Sequence, residues 1–120
     1  MIQALDLDAF AEDWIAAWNS HDLERIMAHY TPDVVYESPV ITEWYGEASG
    51  KVEGIGALRA YWQGGLKMQP DLHFDLKEIY AGVGGGVIRY YSRTRGCEVT
   101  EVFFFGSDGR VTRASAFYAD

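Results

Sequence analysis

The sequence contains a single cysteine, Cys97, among 120 residues, and it lacks long apolar runs. One cysteine cannot form an internal disulfide, so we expect folding that does not depend on an oxidising compartment. No segment approaches the roughly 20 consecutive apolar residues of a membrane-spanning helix. Residues 1–8 lack the basic start and apolar stretch of a signal peptide. Together these absences predict a cytoplasmic protein.

Basic residues are scarce as well. There are 10 Lys and Arg against 18 Asp and Glu, which gives a formal net charge of −8 at pH 7. Binding to nucleic-acid phosphates needs a basic face, and anionic membrane surfaces attract basic rather than acidic segments. We therefore expect neither nucleic acid nor a membrane as a partner.

Motifs for metals and cofactors are equally sparse. The histidines His21, His29 and His73 have no ligand spacing such as i, i+4, and the cysteine is isolated, so we predict no metal site. The glycine-rich run at residues 82–86 precedes a strand pattern, whereas a phosphate-binding loop needs a helix N-terminus behind it. We interpret the run as a hairpin turn and predict no cofactor.

Apolar and aromatic residues, in contrast, are plentiful. Hydrophobic residues make up 48% of the chain and aromatic residues 15%. This balance is typical of one folded domain, which we place over residues 1–120. The ring surface exceeds what a core of this size needs, so we predict that some rings line a cavity.

Helical periodicity predicts two helices at the start of the chain. The first follows an Asp8 N-cap and the second follows an Asp22 N-cap. The second apolar stripe runs to Tyr30, and residues 31–33 are predicted to turn the chain. The apolar face of the first helix carries Phe10, Trp14, Ala17 and Trp18.

The rest of the chain is predicted to be mainly β. A short strand over residues 34–38 is followed by an irregular segment, 40–53, which we interpret as a flexible lid or a small hairpin. A third helix is predicted over 54–63, weakened or ended by Gly64 and Gly65. Four further strands are predicted over residues 72–77, 87–95, 97–105 and 111–118. This order predicts an α+β domain with helices on one face of an antiparallel sheet.

Four stretches carry a resemblance to a known family. They are WNSHDL at 18–23, YTPDVVYESP at 30–39, GIGALRAYW at 54–62 and DGRV at 108–111. In these the chain resembles the SnoaL-like branch of the nuclear transport factor 2-like superfamily, over nearly its whole length. The resemblance implies a cone-shaped, cystatin-like fold in which a curved antiparallel sheet wraps around three helices of the N-terminal half and encloses a pocket. It also implies a homodimer formed through the outer sheet face.

The resemblance does not name a reaction, because the superfamily includes isomerases, dehydratases, polyketide cyclases, epoxide hydrolases and non-catalytic binders. The chain is also similar to ketosteroid isomerases. Their pocket Tyr falls on Trp14, their Asp base on Ser38 and their protonated Asp on Glu101. A serine without an adjacent histidine cannot replace a carboxylate base, so we do not expect steroid isomerisation. The segment after Pro39 is longer than in those enzymes, which predicts a different pocket mouth.

Glu101 is the candidate catalytic residue, because it interrupts an apolar strand face and desolvation there would raise its pKa. The alternative is a Glu at a surface edge, paired with an arginine. The candidate ligand-binding residues implied by the resemblance are Trp14, Trp18, Tyr36, Ser38, Trp62, Ile88, Tyr90 and Tyr118. The rings could instead simply fill the core, and Ser38 could bond to backbone at the strand end.

Two hypotheses about function follow. The first is a protein that holds a small, apolar, cyclic molecule, with or without acid–base catalysis by Glu101 of the isomerase, cyclase or dehydratase type. Hydrolysis or dehydration would need a second polar group beside Glu101, from Tyr90, Tyr118 or Trp14. The second hypothesis is a scaffold that dimerises through an outer sheet face carrying Arg89, Tyr91, Arg93 and Phe117. An open cavity favours the first hypothesis, and a filled cone favours the second.

Overall fold

The computed structural model describes residues 6–119, which form helices on the inner side of a single sheet. The helices are α1 (Leu7–Ser20), α2 (Leu23–Met27), α3 (Pro39–Tyr45) and α4 (Ile55–Met68). The strands are β1 (Tyr30–Glu37), β2 (Lys51–Glu53), β3 (Phe74–Gly82), β4 (Gly85–Ser92), β5 (Cys97–Phe105) and β6 (Val111–Tyr118). The α+β fold predicted from the sequence is confirmed.

The strands form one curved sheet in the order β2-β1-β6-β5-β4-β3. Strands β3 to β6 form the predicted antiparallel meander. The first strand, β1, lies parallel to β6 and pairs on its other edge with β2. The sheet therefore has one strand more than the five that the sequence predicts, because β2 lies within the segment that we expected to be irregular.

The start of α1 and the end of α2 differ from the sequence-based expectation. The N-cap of α1 is Asp6 rather than Asp8, and its carboxylate accepts a hydrogen bond of 3.0 Å from the backbone N–H of Ala9. Asp22 caps α2 as predicted, but α2 ends at Met27. Tyr30 already belongs to β1, because its side chain is buried in the core and its backbone pairs with Val111 of β6.

The segment 40–53 is neither an irregular loop nor a hairpin. It contains α3 and β2, so the described chain has four helices and not three. The local sequence explains α3. The Ser38 hydroxyl accepts a hydrogen bond from the Val40 N–H, and Pro39 occupies the first turn, which tolerates a residue without an N–H. Gly46, with φ of 68°, ends the helix in the left-handed conformation.

Helix α4 continues to Met68, through the glycines that were expected to weaken or end it. The ring of Trp44 on α3 lies against Gly65, where an added Cβ would be 3.4 Å from the nearest ring atom. Trp44 thus packs directly on α4 at this position. The inward face of α4 carries Leu58, Tyr61 and Trp62, which are buried.

The core lies between the concave face of the sheet and helices α1 and α4. Buried residues alternate along β4 and β5, as predicted for strands with one face on the core. They include Ile88, Tyr90, Ser92, Val99, Glu101 and Phe103. No helix within residues 6–119 is long and apolar enough to cross a membrane.

Candidate functional site

A cavity of about 60 Å³ lies between the concave sheet face and helices α1, α3 and α4. When the solvent space at its open side is counted as well, the volume is about 550 Å³. Its inner wall is formed by buried residues: Trp14, Trp18, Tyr36, Val40, Tyr61, Trp62, Leu72, Phe74, Tyr90, Ser92, Val99 and Glu101. Partly exposed residues mark its open side: Trp44, Gly65, Gln69, Arg95 and Tyr118. The cavity is thus largely aromatic, with one carboxyl group inside and one guanidinium group at the mouth.

Glu101 is the buried carboxyl group of the cavity, with only 2% of its surface exposed. It projects inward from β5 between Val99 and Phe103, as the strand alternation predicts. The Tyr90 hydroxyl, on the neighbouring strand β4, donates a hydrogen bond of 2.9 Å to Glu101 Oε2. Glu101 therefore lies in the interior, bonded to a phenol, and not at a surface edge beside an arginine.

The interior position changes the acidity of this group. Burial raises the pKa of Glu101 to about 7, and hydrogen bonds from Tyr90 and Tyr36 oppose that rise. Burial also raises the pKa of Tyr90 and of Tyr36 well above the ordinary tyrosine value, and the nearby Glu101 carboxylate raises it further. Near neutral pH the tyrosines therefore remain hydroxyl donors, while Glu101 can take up or release a proton.

The aromatic wall is held in place by its own contacts. The Trp14 indole N–H donates a hydrogen bond of 2.8 Å to the Tyr30 hydroxyl, and its ring stacks on Phe74. The ring centres of Phe74 and Tyr90 lie 4.3 Å apart. Because the Trp14 N–H is already bonded within the protein, it is not available to a bound molecule.

Trp18 differs from Trp14 in this respect. Its indole Nε1 is buried and has no hydrogen-bond partner among residues 6–119. Buried polar groups in folded proteins are nearly always paired. Trp18 thus offers a donor in the cavity wall for which the described chain supplies no acceptor.

Arg95 lies at the open side of the cavity, in the turn between β4 and β5. Its Nη2 is 3.2 Å from a carboxylate oxygen of Glu43 on α3. Its guanidinium carbon lies 5.1 Å from the centre of the Tyr118 ring, which is a cation–π contact. Burial raises the pKa of Tyr118 to about 12, so this ring stays neutral.

The structure brings most of the sequence-predicted site residues together around the cavity. Those that line it are Glu101, Trp14, Trp18, Tyr36, Trp62, Tyr90 and Tyr118. Ile88 is fully buried on the inner sheet face but does not line the cavity. Ser38 is also absent from the lining, and its hydroxyl caps α3. That placement agrees with the alternative in which Ser38 bonds to backbone.

Of the residues at the mouth, sequence reasoning identified Tyr118 and missed the others. Alternation along the strand predicted over 87–95 would place Arg95 on the outer sheet face, on the same side as Arg89 and Arg93. Strand β4 ends at Ser92, so the alternation stops there and the turn carries Arg95 over the cavity. Trp44 was missed because the helix that positions it was not predicted. The Ser38-Pro39 pair and Gly46 are the signals that could have revealed α3.

The outer sheet face carries charged pairs and exposed rings. Arg89 is paired with Glu78 and Glu98, and Arg93 forms two hydrogen bonds with Asp75. Phe117 is 56% exposed on the same face. Within the described part of the chain, no group of three or more His, Cys, Asp or Glu residues is arranged to hold a metal ion.

The model of the SnoaL-like domain family matches residues 11–114. A SnoaL-like protein of unknown function from Burkholderia thailandensis E264 is 41% identical, with a TM-score of 0.93 over 99% of this chain and 98% of that chain. A candidate isomerase of the SnoaL-like family from Agrobacterium tumefaciens C58 is 18% identical, with a TM-score of 0.75 over 95% and 97%. TerC, co-crystallised with polyporic acid, is 17% identical, with a TM-score of 0.74 over 95% and 92%. No curated protein gives a significant match.

Proposed function

Because this chain belongs to the SnoaL-like domain family, we propose that its cavity binds a small, largely apolar, cyclic molecule and that Glu101 exchanges a proton with it. The observation that carries the proposal is the burial of Glu101 in an aromatic wall, which raises its pKa to about 7. A relative of the same fold, TerC, was co-crystallised with a small molecule, polyporic acid. The reaction class is isomerisation, cyclisation or dehydration.

The wall favours a flat, cyclic ligand. Its rings supply apolar surface on several sides, and rings pack well against flat molecules. The unpaired indole N–H of Trp18 adds a donor for an oxygen atom of the ligand. A cyclic carbonyl compound would satisfy both features.

A single acid–base group suits proton transfer within one molecule. The Glu101 carboxylate takes a proton from a carbon beside a carbonyl, and the protonated carboxyl returns that proton to another atom of the same molecule. No oxidant, reductant or second substrate is needed. A group that titrates near neutral pH serves in both directions. The Tyr90 hydroxyl, which donates to Glu101, steadies the carboxylate before the transfer.

The cavity must widen to admit such a molecule. Ligand pockets commonly measure about 300–1,000 Å³, whereas the cavity here has a volume of about 60 Å³. Helix α3 lies at the open side and is joined to α4 through the contact of Trp44 with Gly65. Because Trp44 is partly exposed and lines the cavity, its outward displacement would widen the opening without moving a buried residue.

The test is hydrogen exchange between solvent and ligand. Cyclic ketones are first screened for binding by the increase that they cause in the melting temperature of the protein. Those that bind are then incubated with the protein in D₂O, and NMR follows the replacement of ligand hydrogen by deuterium. We expect Glu101→Gln to bind the same ketones but to lose exchange by about 10²- to 10⁴-fold. Glu98→Gln is the matched control, since Glu98 lies on the same strand but on the outer face, paired with Arg89. Equal rates of hydrogen exchange with the wild type and with Glu101→Gln would contradict the catalytic part of the proposal.

We also propose that the outer sheet face mediates self-association, on the observation that Phe117 is largely exposed there. Arg89 and Arg93 are paired within the chain, so the apolar surface around Phe117 is the part of this face that a second copy would cover. Light scattering of the wild type at tens of micromolar should show a dimer, and Phe117→Asp should give a monomer. Tyr45→Asp, at an exposed site on α3, is the control. A monomeric wild type would contradict the proposal.

A further inference from the structure

A cationic side chain lies at the mouth of the largely aromatic cavity, and its charge indicates which class of ligand the cavity binds. Among the described residues that line the cavity, Arg95 is the only Lys or Arg. In a chain with a net charge of −8, one arginine turned toward the cavity is an unusual placement. It creates a positive site at the open end, opposite in character to the buried Glu101.

The position of Arg95 is fixed by three contacts. Its backbone N–H donates to the Ser92 hydroxyl, and its guanidinium lies over the Tyr118 ring. Its Nη2 reaches Glu43 at 3.2 Å. The cation–π contact holds the guanidinium group beside the Tyr118 ring, and the single bond to Glu43 leaves most of its donors without a carboxylate partner. A guanidinium group has five N–H donors and matches a carboxylate with two parallel bonds.

The other arginines of the region are held differently. Arg93 makes two bonds to Asp75, and Arg89 is shared by Glu78 and Glu98. These pairs lie on the outer face, away from the cavity. Arg95 therefore has the least saturated guanidinium of the three, and it is the one at the cavity.

Glu43 is a partner that can be replaced. Its side chain is 59% exposed, whereas that of Arg95 is 28% exposed. An exposed ion pair of this kind contributes little stability, and Glu43 would be fully hydrated when released. A ligand with an anionic group would bury its apolar body in the cavity. That burial excludes water from the apolar surface and adds binding energy that Glu43 does not have. The exchange of Glu43 for such a group is thus favourable.

We infer that the ligand of this cavity is an organic anion: a cyclic, apolar body with a carboxylate or an enolate-type oxygen at one end, which Arg95 binds at the mouth in place of Glu43. The inference rests on the proposed ligand-binding function and names the chemical class of that ligand. The apolar body points inward toward Glu101, and the anionic end stays at the open side. Arg95 is then the residue that selects charged over neutral molecules of the same shape.

The test uses two matched pairs of probes: benzoate with benzyl alcohol, and 2-naphthoate with 2-naphthylmethanol. Binding is measured by calorimetry and by quenching of tryptophan fluorescence. We expect the wild type to prefer the anion in each pair, and Arg95→Gln to lose about tenfold or more of its affinity for the anions only. Arg95→Lys should keep part of the preference, because it retains the charge but not the planar fork.

Two further variants locate the effect. Glu43→Gln should bind the anions several-fold more tightly and the alcohols unchanged, since it removes the competing carboxylate. Arg93→Gln, at a paired arginine outside the cavity, should match the wild type. If the alcohols bind as well as the anions, or if Arg95→Gln weakens both alike, the anion inference is overturned while ligand binding stands. If no probe of either class binds, the proposed ligand-binding function is overturned, and the inference with it.

Discussion

Tyr90 and Glu101 are diagonal neighbours on adjacent strands, and a hydrogen bond of 2.9 Å joins them inside the core. The pairing register places Tyr90 opposite Val99 and Glu101 opposite Ile88. Two diagonal residues on one sheet face can contact each other when their side chains are long. The sheet register thus brings a phenol and a carboxyl group together at the cavity, and this pair governs how the site responds to pH.

The first prediction concerns the pH dependence of stability. Burial raises the pKa of Glu101 from 4.5 to about 7 in the folded state. The folded protein then holds the proton more tightly than the unfolded chain, so the contribution of this group to stability is complete below pH 4.5 and is lost as the pH rises from 4.5 to 7. The shift corresponds to about 3 kcal/mol in total.

The Glu101→Gln variant should not lose stability in this way as the pH rises, because the amide does not titrate. Urea unfolding of both proteins at pH 5, 6, 7 and 8 should show the variant gaining stability relative to the wild type as the pH rises, and levelling above pH 7. The Glu98→Gln variant should not show this trend. A difference between Glu101→Gln and wild type that is constant with pH would contradict the raised pKa.

The second prediction concerns the effect of the Tyr90 hydroxyl on the pKa of Glu101. The Tyr90 hydroxyl favours the charged form of Glu101, so its bond holds the pKa of Glu101 below the value that burial alone would give. Tyr90→Phe should therefore raise the pKa of Glu101 above 7. The measurement is a titration of the ¹³C-labelled glutamate carboxyl groups by NMR.

Tyr91→Phe provides the comparison for that measurement, because Tyr91 is the next residue on β4 and points to the other face. The Glu101 titration in Tyr91→Phe should overlay that of the wild type. A pKa that stays at the wild-type value or falls in Tyr90→Phe would show that the bond does not stabilise the carboxylate.

Period-two alternation explains why the sheet interior could be predicted. It placed Glu101 on an apolar strand face without any structural information, because burial of one sheet face fixes which residues face inward. The resemblance in turn implied that Glu101 faces a pocket, and the structure puts it in the cavity wall. Part of the inner wall of the site was accessible from the sequence for these reasons.

The mouth of the cavity was not accessible in the same way. A helix as short as α3 has too few residues to show an apolar period, so only its Ser38 N-cap and Gly46 C-cap could signal it. Arg95 lies beyond the end of β4, where alternation no longer specifies direction. Its position over Tyr118 is set by tertiary contacts that no local pattern encodes.

The third prediction tests the role that the structure gives Ser38. Its hydroxyl caps α3, so Ser38→Ala should lower the free energy of unfolding by about 1 kcal/mol. Ligand affinity should be unchanged, because Ser38 does not line the cavity. Ser115→Ala, on the neighbouring strand β6, should leave the stability close to that of the wild type. Ligand affinity that falls in Ser38→Ala with no loss of stability would restore Ser38 as a ligand-binding residue.

The fourth prediction distinguishes the two boundaries given for α4. The structure continues this helix through Gly64, where an added Cβ meets no atom within 4 Å. Alanine loses less backbone entropy than glycine in a helix, so Gly64→Ala should raise the free energy of unfolding by about 0.5–1 kcal/mol. Thermal and urea unfolding measure this change.

Gly46→Ala is the contrasting variant, since Gly46 also has open space around it but adopts a φ of 68° at the end of α3. A Cβ in the left-handed conformation costs roughly 1–2 kcal/mol, so this variant should be destabilised. The two substitutions are chemically identical and differ only in backbone conformation. If Gly64→Ala destabilises the protein as Gly46→Ala does, then α4 ends at Gly64, as the glycine pair in the sequence first predicted, and the mouth of the cavity is built differently.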